Sequence, residues 1–185
     1  KGVKSLPMMS LVTENSNLRG NTGIMETNPR NTTKRGIAWE RPVSMELIYP
    51  ETGETLQANA GLRVQGGNYI RGRYNPSSGP PAGKYSFRLY FRGDYGLGRL
   101  RYPFFPGLQV QDFNHIVLRA GMNDHSNPFV VDELVRRLSA DMGQVSARGT
   151  FMNLYLNGKN KGYYNPTERI DSDFLNSWNG SDSEW

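Results

Sequence analysis

The stretch Lys84 to Arg92 (KYSFRLYFR) alternates apolar and polar side chains along its whole length. Tyr85, Phe87, Leu89 and Phe91 fall on one face, and Lys84, Ser86, Arg88 and Tyr90 on the other. A period of two is the signature of a strand with one face on a core, and a slip of one residue would turn that face outward. The same period recurs at Arg41 to Tyr49, where Val43, Met45, Leu47 and Tyr49 share a face. Pro50 ends that run, Thr52-Gly53 supplies a turn, and Thr55 to Val64 returns as the second arm of a hairpin. Asn157-Gly158, set between Thr150 to Leu156 and Gly162 to Asn165, predicts a second hairpin, because both residues tolerate the positive φ of a tight two-residue turn.

Other segments are shorter. Leu6 to Thr13 predicts a buried strand entered through Pro7, and His115 to Ala120 another. Glu14 to Trp39 is polar and turn-rich, with one strand expected at Gly23 to Glu26. Composition agrees, since 21 Gly and 11 Pro accompany a hydrophobic content of 36%. Many turn formers with Tyr, Phe and Val favour strands over helices.

One helix is predicted over Pro128 to Met142, capped by Asn127, opened by Pro128 and closed by Gly143. Val131, Leu134, Val135 and Leu138 recur at helical spacing and are expected to face the core. Asp171 to Trp178 begins a second helix, capped by Asp171 or Ser172. The expected fold class is α+β: a mostly antiparallel sheet with one packed helix.

Several chemistries are excluded. The chain has no Cys, so thiolate sites and disulfides are absent. His115 and His125 lack metal-ligand spacing, and there is no P-loop or nucleophile-elbow motif. The net charge is +5, but Lys and Arg are scattered, which argues against nucleic acid as a partner. No apolar run approaches the roughly 20 residues of a membrane span.

Three features can carry chemistry. The Gly66-Gly67 turn lets backbone N–H groups approach a phosphate with no Cβ in the way, or is simply a tight turn. Arg71 and Arg73 add positive charge to the loop that follows. Glu133 on the predicted helix is either the partner of a strand lysine or a solvated helix residue, and Asp132 beside it suits the positive helix N-terminus. Gly162 to Asp171 is either a plain strand exit or a connection between lobes.

Taken in order, these segments resemble the CotH-type atypical protein kinases. The resemblance rests on Trp39-Glu40-Arg41-Pro42-Val43 and on Ala60-Gly61-Leu62-Arg63-Val64-Gln65-Gly66-Gly67. It continues in Lys84 with Ser86 to Phe91, Leu118-Arg119-Ala120-Gly121, Asp132-Glu133-Leu134, Tyr155-Leu156-Asn157-Gly158 and Thr167-Glu168-Arg169-Ile170-Asp171. It implies a kinase-type N-lobe over residues 1–165, and a hinge with the start of a second lobe over 166–185. It implies ATP, a divalent metal (Mg or Mn) and a protein hydroxyl as acceptor. Gly66, Gly67 and Arg71 would lie over the phosphates, Lys84 on them with Glu133 as its helix partner, and Glu168, Arg169 and Ile170 at the hinge. Strand geometry leaves Arg88 as the alternative phosphate contact, since it shares a face with Lys84.

The family's catalytic Asp and metal ligands are expected from the second lobe, so this stretch alone is expected to be inactive. Secreted or spore-surface placement and self-association through an exposed lobe face are further expectations. The alternative reading is a non-catalytic secreted or surface binding module on the same scaffold.

Overall fold

The computed structural model describes residues 6–66, 84–121 and 130–180. Its centre is a closed barrel of mixed strands. The strands are β1 (Met8–Val12), β2 (Arg41–Ile48), β3 (Thr55–Val64), β4 (Phe87–Tyr90), β7 (His115–Arg119), β8 (Met152–Leu156) and β9 (Lys159–Thr167). A separate short pair, β5 (Leu100–Arg101) and β6 (Asp112–Phe113), stands outside it. The order around the barrel is β1-β2-β3-β4-β7-β9-β8. Three α-helices are described: α1 (Asn15–Leu18), α2 (Val131–Asp141) and α3 (Ser172–Asn179).

This corrects the expected α+β sheet with a packed helix. β1 pairs antiparallel with β2 on one side and parallel with β8 on the other, which closes the sheet on itself. The molecule is therefore mostly β, with short helices outside. Closure removes the free edges that an open sheet would leave for pairing with other chains.

The alternation governs what lies inside. Met9, Leu11, Met45, Leu47, Ala60, Leu62, Leu89, Ile116, Leu118 and Leu154 are fully buried. The Arg41–Ile48 and Thr55–Val64 hairpin forms in register, with Val43 opposite Ala60 and Met45 opposite Ala58. Asn157 (φ 48°) and Gly158 (φ 74°) make the tight turn between β8 and β9. Tyr164 reaches across the interior and donates its hydroxyl to the Tyr85 carbonyl at 2.8 Å. The segment between β4 and β7 adds Phe104, Phe105 and Phe113 to the core, with edge-on ring contacts at 5.0 and 5.4 Å. Gly23 to Glu26, expected as a strand, is a run of turns instead.

The helix stripe is the second correction. Leu134, Val135 and Leu138 are 51%, 59% and 52% exposed, whereas Glu133 on the opposite side is 4% exposed. Helix α2 lies with its charged face on the barrel. The strand surface beneath explains this, because it offers amides and carbonyls. Asn165 on β9 donates to Glu133 at 3.0 Å and accepts from Arg136 at 2.5 Å, and Arg137 donates to the Gly149 carbonyl at 3.3 Å. Gly149 is required there, since a Cβ would sit 2.1 Å from the Glu133 carboxylate. The predicted cap residues Asn127 and Pro128 lie outside the described residues.

Candidate functional site: a cationic outer face

The polar face of the alternation in β3, β4 and β7 lies on the outside of the barrel. Arg63 on β3 sits directly opposite Arg88 on β4, and Arg88 opposite Val117 on β7. Arg88 is 8% exposed, and its guanidinium Nε has no hydrogen-bond partner among the described residues. Like charges directly opposite on a ladder repel, and a buried, unsatisfied donor carries a desolvation cost.

The Tyr90 ring sits among three guanidiniums, 4.8 Å from Arg63, 5.5 Å from Arg88 and 5.2 Å from Arg92. Arg63 also donates to the Tyr90 hydroxyl. One buried carboxylate, Glu40, serves this cluster. It accepts from Arg92 Nε at 3.1 Å and from the Tyr95 hydroxyl at 3.4 Å, and stands 3.9 Å from Arg63. Gly61 makes room for Tyr95, because a Cβ would lie 2.4 Å from its ring.

Arg119 ends β7 on the same outer face. It pairs with Asp132 of α2 at 2.7 Å, and Asp132 also binds Arg136. This ion pair ties the strand that precedes the helix to the helix itself. Glu133 does not take that part. Its oxygens bind Arg136 at 2.6 Å, Arg137 at 2.8 Å and Asn165.

Lys84 is brought elsewhere. Its ammonium donates to the Tyr163 carbonyl at 2.6 Å and lies 4.7 Å from the Tyr164 ring centroid. Burial lowers its pKa to about 8. Lys84 and Glu133 are therefore not brought together. Gly66 sits just past β3 with φ 119°, a conformation suited to glycine. Gly67, Arg71 and Arg73 lie outside the described residues, as does His125.

Glu168 lies beyond the end of β9 and is buried. Its carboxylate accepts from the Arg148 N–H at 2.8 Å, and its own N–H donates to the Arg148 carbonyl at 3.0 Å. Burial raises its pKa to about 7 against the pull of those contacts. Arg169 and His115 both meet Asp171, at 3.2 and 2.8 Å. Burial pushes the Asp171 carboxyl up, yet the His115 contact leads the effects that leave it below its ordinary value. Asp171 also caps α3, accepting from the Phe174 N–H at 3.2 Å. Ile170 is exposed.

Sequence reasoning missed Arg63 and the Arg119–Asp132 pair as site features. The alternation placed Arg88 outward, and the same argument applied to Thr55–Val64 would have placed Arg63 beside it.

Among the described residues no group of three or more His, Asp and Glu side chains could hold a metal ion. No described helix is long and apolar enough to cross a membrane. Arg63, Arg88 and Arg119 thus share the outer barrel face, and Arg119 is paired with Asp132 of α2. A family model described as CotH kinase protein matches residues 70–184, and the chain belongs to that family. No curated protein matches the chain.

Proposed function

We propose that this chain is the nucleotide-gripping portion of a CotH-type kinase, which transfers phosphoryl groups from ATP to protein hydroxyls in the intact natural protein. The observation that carries the reading is the Arg119–Asp132 ion pair between a strand and the helix that follows it. Kinases orient a strand cation toward the phosphates by pairing it with a helix carboxylate. Here Asp132 does this for Arg119, and Arg136 holds Asp132 in turn. Family membership supports the same reading.

The residues fit a polyphosphate, because the buried Arg88 has an unused Nε donor on the same face. A bound ATP supplies the phosphoryl group. Arg119 holds and orients its charge, and Asp132 fixes the direction of that half-exposed guanidinium. The described residues do not fit a divalent metal, and none of them is assigned to one. Glu168 to Ile170 keep their assignment beside the nucleotide as part of this proposal.

The test is ATP turnover by the intact natural protein. Arg119→Ala and Asp132→Asn should each lower kcat/KM on the order of 100-fold, the scale of removing one charge-stabilising contact. Lys84→Ala should have a smaller effect. No ATP turnover by the wild type would overturn the kinase reading. It would favour the non-catalytic binding module, for which the exposed apolar stripe of α2 is the supporting observation.

A further inference from the structure

We propose that Arg63 and Arg88 together form a two-pronged site for a phosphate group, with Tyr90 as its floor and with Arg63 held by the Gly36 carbonyl and the Tyr90 hydroxyl, Glu40 standing 3.9 Å away. This rests on the kinase reading for the identity of the ligand, which is a phosphate of the nucleotide. Four observations carry it. The two arginines are cross-strand partners, an arrangement that repels unless something negative lies between or above them. Arg88 is more than nine-tenths buried with an unused Nε donor.

The cluster is also unbalanced. Arg63, Arg88 and Arg92 meet one carboxylate, Glu40, which contacts Arg63 and Arg92. No carboxylate among the described residues pairs with Arg88. Among the described residues three cations stand against one carboxylate, an excess of two positive charges that suits a doubly charged oxyanion. Guanidinium forks match phosphate oxygens in pairs, which a lysine ammonium cannot do.

Finally, the location is right for a phosphate. The ladder continues from Arg63–Arg88 through Val64–Phe87, and Gln65 N–H bonds the Ser86 carbonyl, so the pair lies two residues from the Gly66 turn. Arg119 lies near Arg88 on the same face, because β7 is the next strand and Val117 is the residue opposite Arg88. Diagonal neighbours on such a ladder are roughly 7–8 Å apart. Arg63, Arg88 and Arg119 thus offer a row of cations that spans consecutive phosphates.

The experiment is calorimetric titration of the intact protein with inorganic pyrophosphate and, separately, with ATP, at fixed ionic strength. Wild type should bind both. Arg63→Gln and Arg88→Gln should each weaken pyrophosphate binding at least tenfold, while Arg101→Gln, a change at an exposed arginine away from the cluster, should not. If Arg88→Gln does not fold, Arg63→Gln carries the same test. Pyrophosphate that binds all variants equally, or does not bind the wild type, overturns the site. ATP turnover that survives both substitutions overturns the site while leaving the kinase reading standing. Pyrophosphate bound through Arg63 and Arg88 with no turnover keeps the site and removes the kinase.

Discussion

Arg63 and Arg88 face each other across the β3–β4 ladder, and the buried Arg88 Nε has no partner among the described residues. An arrangement that costs stability in the free protein is expected where a ligand completes it. Arg88→Met keeps much of the volume while removing the buried charge. Its melting temperature should equal or exceed that of wild type, since losing an unsatisfied buried donor is worth about 1–3 kcal/mol. A clear drop in thermal denaturation would mean that Arg88 is satisfied in the free protein.

Glu133 is structural by its contacts. It is 4% exposed and holds Arg136, Arg137 and Asn165. Glu133→Ala should destabilise by about 1–3 kcal/mol, because it removes a buried acceptor from Arg136, Arg137 and Asn165 while Asp132 still pairs with Arg136. Gly149→Ala should cost about 1–3 kcal/mol through overpacking on the same carboxylate. Chemical denaturation measures both, and a loss near zero for Glu133→Ala would contradict the packing of α2.

The apolar stripe of α2 behaves as surface. Leu134→Ala and Leu138→Ala should change stability by less than about 1 kcal/mol, whereas Leu118→Ala in the barrel should cost about 2–5 kcal/mol. Core-sized losses at Leu134 would return the stripe to the interior.

The sequence was clear about pieces and silent about closure. The period-two runs at Arg41–Ile48 and Thr55–Val64, and the Asn157-Gly158 turn, read directly, because hairpins are local and their register follows from the turn. The parallel contact of β1 with β8 is not readable that way. It joins residues far apart along the chain and leaves no local mark, so a mostly antiparallel sheet was expected. The orientation of α2 failed for a different reason. Spacing identifies the apolar face of a helix, but the surface beneath decides which face is buried, and that surface carries Asn165 and Gly149. Lys84 was read from its strand position and from the family resemblance, while its ammonium is held by the Tyr163 carbonyl.

Glu168 predicts a pH dependence. Burial raises its pKa to about 7, above its value in the unfolded chain. The folded state therefore holds this proton where the unfolded state has released it, so stability falls as pH rises through the carboxylate range to about 7. The slope is at most about 1.4 kcal/mol per pH unit. Glu168→Gln keeps an acceptor for the Arg148 N–H and should flatten that slope in denaturation curves taken across this window. An unchanged slope would show that Glu168 titrates normally.

The central claim is that nucleotide phosphate meets the arginines on the outer barrel face. The most direct measurement is the arginine Nε–H region of the nitrogen–proton NMR spectrum during titration with a non-hydrolysable ATP analogue. Signals assigned by Arg63→Gln and Arg88→Gln should shift saturably together, with a common affinity. If the analogue binds while both signals stay fixed, the phosphates lie elsewhere and the account is wrong.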